Sequence, residues 1–135
     1  ERTCRGTSLK FYLDSSFIID VIKEEPKALA IVSNLDGSLC TSQLGRLEVL
    51  RTFNRFYYEW LPNAYEFLEI LDFIDLDDIV LSNVVKYGPS ITLTTADAIH
   101  VSTAQLTLEE EDALVTFDKT MASNAKLLGL NVIAA

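Results

Sequence analysis

The stretch Phe11-Tyr12-Leu13-Asp14-Ser15-Ser16-Phe17 decides how this chain is read. A short apolar run ends in an acid and two hydroxyl residues, and a second apolar segment follows at once. That is how a buried strand hands over to a helix. The same alternation continues along the chain. Strands are expected at Phe11–Leu13, Ser38–Thr41, Phe73–Leu76, Ala113–Thr116 and Asn131–Ile133, and helices at Phe17–Ile22, Lys27–Leu35, Pro62–Leu71, Ile79–Tyr87, Ala96–Leu106 and Lys119–Leu128. The clearest helix follows Ser42, where Leu44, Leu47, Leu50, Phe53, Tyr57 and Trp60 recur at three- and four-residue spacing until Pro62. Gly129 suits the position just past a helix end, and Gly88-Pro89 marks a break. Short strands alternating with helices define an α/β domain.

The chain has 135 residues, 49% of them hydrophobic and 23% charged, which is enough for one core and too little for two domains. No apolar run approaches the roughly 20 residues that cross a bilayer, so no membrane span is expected. Cys4 and Cys40 are far apart and have no second ligand at metal spacing, which excludes a disulfide scaffold and a Cys-based zinc site. A cytoplasmic location is expected. Residues 1–8 are polar and are expected to be an expression remnant or disordered lead-in to a single domain over 9–135.

The net charge of −9 argues at first against a polyanionic ligand. Its distribution weakens that argument. Glu66, Glu69, Asp72, Asp75, Asp77 and Asp78 form one acidic run and Glu109 to Asp112 another, and neither contains a base. Without these ten acids the chain is close to neutral, so the acidity belongs to two patches.

Asp14 and Asp118 each directly follow an apolar run and so fall at the carboxyl end of a strand, the edge where open parallel sheets bind ligands. Asp97 falls in the first turn of a helix that Thr94 or Thr95 can cap. Each of these acids has a structural reading as a cap or turn residue beside its reading as a ligand. Glu48 lies inside the helix after Ser42, and at about 100° per residue it clusters with Arg51, Arg55 and Glu59 within roughly 80°, opposite the apolar row. That stripe reads either as a ladder of surface ion pairs or as an acid ligand beside two phosphate-binding guanidiniums.

Four pieces together resemble a known family: Tyr12-Leu13-Asp14-Ser15-Ser16, Leu47-Glu48-Val49-Leu50, Thr95-Ala96-Asp97-Ala98-Ile99-His100, and Thr116-Phe117-Asp118 with the helix running to Leu128-Gly129-Leu130. In this order and spacing they resemble PIN domains, most closely the VapC-type toxins of toxin–antitoxin pairs, over Leu9 to the C-terminus. The resemblance implies a five-stranded parallel sheet in the order 3-2-1-4-5 with helices on both faces, which makes strands 1 and 4 neighbours. It implies a metal-dependent endoribonuclease in which Asp14, Glu48, Asp97 and Asp118 are the catalytic, metal-binding acids and Ser15 and Thr116 support them. It also implies an RNA substrate, a homodimer, and a VapB-like antitoxin whose C-terminal segment covers the acidic pocket.

Four carboxylates converging at about 5 Å would repel by about 3 kcal/mol per ionised pair at an effective dielectric of 20. A cation or protons must compensate, and an all-oxygen donor set selects Mg²⁺ or Mn²⁺. The implied chemistry is hydrolysis of a phosphodiester by an ion-activated water, leaving a 5′-phosphate on RNA. Arg51, Arg55, Lys119 and Lys126 are candidate RNA phosphate contacts. His100 lies on the Asp97 face of its helix and is read as a packed residue. The interleaved bases and aromatics of 51–60 are read as core packing, with Phe56 and Tyr58 left for an interface. The Glu109–Asp112 run is expected to add negative charge near the site. The rival reading from another class is a PIN-like module without nuclease activity that acts by binding a protein partner. A phosphoacceptor domain fits poorly, because Asp14 has no acidic neighbour where such domains need one.

Overall fold

The computed structural model describes residues 9–134. Residues 1–8, expected to be a lead-in, lie outside the described residues. The elements are β1 (Leu9–Leu13), α1 (Ser15–Ile22), α2 (Pro26–Ser33), β2 (Gly37–Ser42), α3 (Gln43–Phe56), a 3₁₀ turn (Tyr58–Trp60), α4 (Leu61–Leu68), β3 (Asp72–Ile74), α5 (Asp78–Lys86), α6 (Thr95–Thr107), β4 (Ala113–Val115), α7 (Lys119–Leu127) and β5 (Asn131–Ile133). The strands form one sheet in the order β3-β2-β1-β4-β5, and every pairing is parallel. Both strand order and direction agree with the expectation. The chain builds outward from β1 through β2 to β3, then returns to the other side of β1 for β4. The crevice between β1 and β4 is therefore the switch point of the sheet.

Strand alternation divides the core in two. Phe11 and Leu13 of β1 face α1 to α4, where Phe17, Ile18, Val49, Phe53 and Leu68 are buried. Tyr12 faces the opposite way and packs with Val101 and Ala104 of α6 and Met121 and Ala125 of α7. Both faces of β1 are thus covered, as its apolar Phe11-Tyr12-Leu13 run requires. The C-terminal end of α7 closes on Gly129 at φ +89°. Its N–H donates to the Lys126 carbonyl at 3.0 Å and the Leu130 N–H donates to Ala125 at 3.0 Å, the glycine-dependent stop that the sequence predicts.

Three expectations need correction. Strand and helix limits shift by one to three residues, with β3 ending at Ile74 and α4 at Leu68. The helix after Ser42 does not run to Trp60: it stops at Phe56, where Tyr57 leaves helical backbone at φ −140° and ψ 54°. The Tyr57 phenol oxygen accepts from Lys23 Nζ at 3.1 Å. The buried face of α3 is also rotated. Gly45, Val49 and Phe53 are buried, whereas Leu47 is 60% exposed.

Gly45 explains the rotation. A Cβ at this position would lie 2.3 Å from Thr41 Oγ1 and 3.2 Å from His100 Cε1. A bare backbone here lets α3 press against β2 and α6. The Thr41 hydroxyl cannot give way freely, because it donates to the Leu13 carbonyl at 2.8 Å. Gly45→Ala is therefore expected to destabilise the fold by about 1–3 kcal/mol, overriding the roughly 1 kcal/mol that alanine gains in helix propensity. Urea unfolding of the two proteins measures this directly.

Candidate active site

The three aspartates sit at element junctions for local reasons. Asp14 is the N-cap of α1 and accepts from the Phe17 N–H at 2.9 Å. Asp118 is the N-cap of α7 and accepts from the Met121 N–H at 3.0 Å. Asp97 lies in the first turn of α6, and its N–H donates to the capping Thr94 hydroxyl at 3.3 Å. The structural reading offered for these residues, as cap or first-turn acids, is what the geometry shows. The Asp14 and Asp118 carboxylates cap the helices that follow β1 and β4, which places them at the carboxyl edge of the sheet.

Asp14 is the deepest of the four acids, at 2% exposure. Its Oδ2 accepts from the Thr116 hydroxyl at 2.6 Å and from the Ser16 hydroxyl at 3.2 Å. Thr116 Oγ1 in turn accepts from the Asp118 N–H at 3.0 Å, so one hydroxyl ties Asp14 to the Asp118 backbone across the β1–β4 crevice. Burial pushes the Asp14 carboxyl above its ordinary value, against the opposing influence of the Thr116 hydroxyl, the Phe17 amide and the His100 charge.

Glu48 approaches from the other side. The rotation of α3 turns it inward, and its Oε1 lies 2.6 Å from His100 Nε2. The expected ladder of Glu48 with Arg51, Arg55 and Glu59 is absent among the described residues. Glu59 lies in the 3₁₀ turn, Arg51 is exposed, and Arg55 covers the Phe56 ring at 4.6 Å. Burial alone would raise the Glu48 carboxyl, but hydrogen bonding and charge from His100, with help from the Ser15 hydroxyl, bring it below its ordinary value. Ser15 thus lies beside Glu48, and Thr116 beside Asp14. His100 is buried as expected, but both ring nitrogens are engaged by side chains, one of them Glu48.

Lys119 is exposed at the start of α7 and lines an open cleft of about 330 Å³ with Asp20, Lys27 and Phe117. Neither it nor Lys126, Arg51 or Arg55 forms an ion pair with the four acids among the described residues. Phe53 is buried, whereas Phe56 and Tyr58 are 61% and 68% exposed. The Glu109–Asp112 run corrects a further expectation. Asp112 accepts from the N–H of Lys10, near the start of β1, at 2.9 Å and from the Glu109 N–H at 2.8 Å. The run therefore sits at the amino edge of the sheet, roughly 13 Å of strand away from the Asp14 end.

Among the described residues, no three His, Cys, Asp or Glu side chains stand close enough to form a ready metal cage. Their links are pairwise: Asp14 to Asp118 through Thr116, and Glu48 to α6 through His100. The donor chemistry nevertheless suits a hard cation. The donors are carboxylate oxygens at one sheet edge, and the most buried of them is held by hydroxyl and amide donors without a Lys or Arg partner among the described residues.

The profile of the PIN domain family matches residues 11–127. The chain belongs to the PIN domain family. It is 32% identical over 129 residues to "Ribonuclease VapC35" of Mycobacterium tuberculosis (strain ATCC 25618 / H37Rv), covering 91% of this chain and 95% of that one. It is 34% identical over 125 residues to "Ribonuclease VapC46" of the same strain, with 91% and 95% covered. A solved toxin–antitoxin complex from Klebsiella pneumoniae contains a chain with the same fold, at TM-score 0.71 and 19% identity, covering 83% of this chain and 89% of that one.

Proposed function

We propose that this protein is a VapC-type endoribonuclease, the toxin of a toxin–antitoxin pair, using Mg²⁺ or Mn²⁺ held by Asp14, Glu48, Asp97 and Asp118. One observation carries the reading: a buried carboxylate at the switch point of a parallel sheet, tied through Thr116 to a second acid, in a chain about one-third identical to proteins named ribonucleases. A divalent ion bound there supplies a nucleophilic water and charge neutralisation at the phosphate. The protein's own residues then have distinct tasks. Asp14 contributes its remaining lone pairs while Thr116 and Phe17 fix the carboxylate plane. Asp97 and Asp118 offer carboxylates from two helix starts, where their charge is favoured. Glu48 brings a carboxylate held by His100 through one oxygen, with the Ser15 hydroxyl beside it, that can accept a proton or ligate.

RNA would approach the carboxyl edge, with Arg51, Arg55 and Lys119 as peripheral phosphate contacts. A VapB-like antitoxin and a second copy of the chain are the expected partners, and the exposed Phe56 and Tyr58 are available to an interface. The location expected for such a pair is the cytoplasm. Among the described residues no helix is long and apolar enough to cross a membrane.

Metal dependence is tested by melting curves. Mn²⁺ at about ten times its Kd stabilises the native state by roughly 1.4 kcal/mol, or about 5 °C for a chain of this size. The wild type is expected to show that shift and Asp97→Asn to lose most of it. Equal shifts in both proteins, or none with any divalent ion, would contradict the proposed site.

A further inference from the structure

A line of hydrogen bonds runs from the middle of the sheet to its acidic edge. Tyr12 and His100 are 0% and 1% exposed. Tyr12 Oη lies 2.7 Å from His100 Nδ1, and His100 Nε2 lies 2.6 Å from Glu48 Oε1. The Tyr12 and His100 rings meet edge-on, with centroids 5.9 Å apart. Each member also neighbours a proposed ligand in sequence. Tyr12 precedes Asp14 by two residues and so points to the same side of β1, and His100 follows Asp97 by one helical turn. Gly45 completes the arrangement. Its missing side chain lets α3 close on the His100 ring, and Glu48 is the next residue on that face of α3.

A histidine that only fills the core can satisfy its nitrogens with backbone carbonyls. This one uses two side chains, and one of them is a half-buried carboxylate that water could have satisfied instead. A carboxylate can only accept, so the hydrogen shared at 2.6 Å belongs to His100 Nε2, while Tyr12 holds the other ring nitrogen at 2.7 Å.

We propose that His100, oriented by Tyr12, is a positioning residue that fixes the Glu48 carboxylate through Oε1 and so sets how that carboxylate is presented to the divalent ion. The inference rests on the metal-dependent reading of the site. It assigns His100 a task that acts through Glu48 and has no contact with substrate. Such supporting partners of a metal ligand typically change metal affinity by about 10–100-fold.

The test is the Mn²⁺ affinity of the full chain, read from the free-ion electron paramagnetic resonance signal, with RNA cleavage as a second readout. His100→Asn keeps a polar group near Nδ1 but does not reach Glu48, whereas the longer amide of His100→Gln places an N–H where Nε2 stood. The Asn variant is expected to lose about 10–100-fold in Mn²⁺ affinity and the Gln variant to recover most of it. In a Glu48→Gln background, His100→Asn should have no further effect. Tyr12→Phe, which removes a single oxygen, should show a smaller loss in the same direction and carries the comparison if the Asn variant does not melt cooperatively. Wild-type affinity in both His100→Asn and Tyr12→Phe would overturn the inference. So would equal losses in the Asn and Gln variants, or a further loss in the Glu48→Gln background. A wild type that binds no Mn²⁺ at all would instead overturn the reading of the site itself.

Discussion

Asp14→Asn is expected to reduce RNA cleavage by at least about a hundredfold and to remove the fall in metal-free stability as pH rises. The activity loss follows from the position of Asp14. Loss of a supporting group alone costs a metal site about 10–100-fold, and a direct ligand should cost no less. The change in pH dependence follows from burial. The Asp14 carboxyl sits above its ordinary pKa because desolvation disfavours the anion more than its hydrogen bonds favour it. The folded state then binds more protons than the unfolded state between the two pKa values, so stability falls as pH rises through that window. Asparagine keeps one oxygen for the Phe17 amide and carries no charge to desolvate, so the variant should lack this fall. Divalent-ion affinity of the wild type should rise across the same window, because a proton must leave before the ion can bind. Cleavage rates and melting curves between pH 4 and pH 8 check all three. A variant with wild-type activity, or one whose metal-free stability falls with pH as the wild type's does, would contradict this account of Asp14.

Thr116→Val has the second-largest expected effect. Thr116 is fully buried, donates to Asp14 Oδ2 at 2.6 Å and accepts from the Asp118 N–H at 3.0 Å. Valine fills nearly the same volume but makes neither bond. One carboxylate oxygen is left with the weaker Ser16 contact, and the Asp118 amide loses the hydroxyl that accepts its N–H. The expected cost is about 1–3 kcal/mol in stability and about 10–100-fold in cleavage, with Thr116→Ser retaining most of both. If valine costs stability alone, Thr116 only braces the crevice and does not set the Asp14 carboxylate.

The legibility of the fold and the site in the sequence differed by element, for physical reasons. The five strands were readable because each centres on a short apolar run, whereas their order came only from the family resemblance, since nothing local encodes which strands pair. Asp14, Asp97 and Asp118 were readable because caps and strand ends are local features, settled within three or four residues. The phase of α3 was not. Apolar periodicity weights leucines, so it placed Leu47 inward. The helix is instead rotated by a close approach at Gly45, a residue that carries no hydrophobic signal. Glu48 was consequently assigned to an outward charged stripe, which left a surface ion-pair ladder and an acid ligand both open, and the family resemblance alone favoured the ligand.

The role of His100 was hidden for a different reason. Its partners Glu48 and Tyr12 lie 52 and 88 positions away, and no local pattern encodes their meeting. The alternation of β1 did hold one clue, since a tyrosine two residues before a strand-end acid shares its face of the sheet. The Glu109–Asp112 run was placed near the site through its proximity in sequence to Asp118. A strand runs between them, however, and it carries the two ends to opposite edges of the sheet.

The central claim is that these acids form the metal-dependent centre of a ribonuclease. Its most direct test is cleavage of a labelled RNA panel, single strands and structured transfer RNAs included, in Mg²⁺ or Mn²⁺, by wild type and Asp97→Asn purified identically. The account predicts cleavage by the wild type alone, abolished by chelation and restored by added ion. Cleavage that survives chelation, or that Asp97→Asn performs equally well, would contradict it.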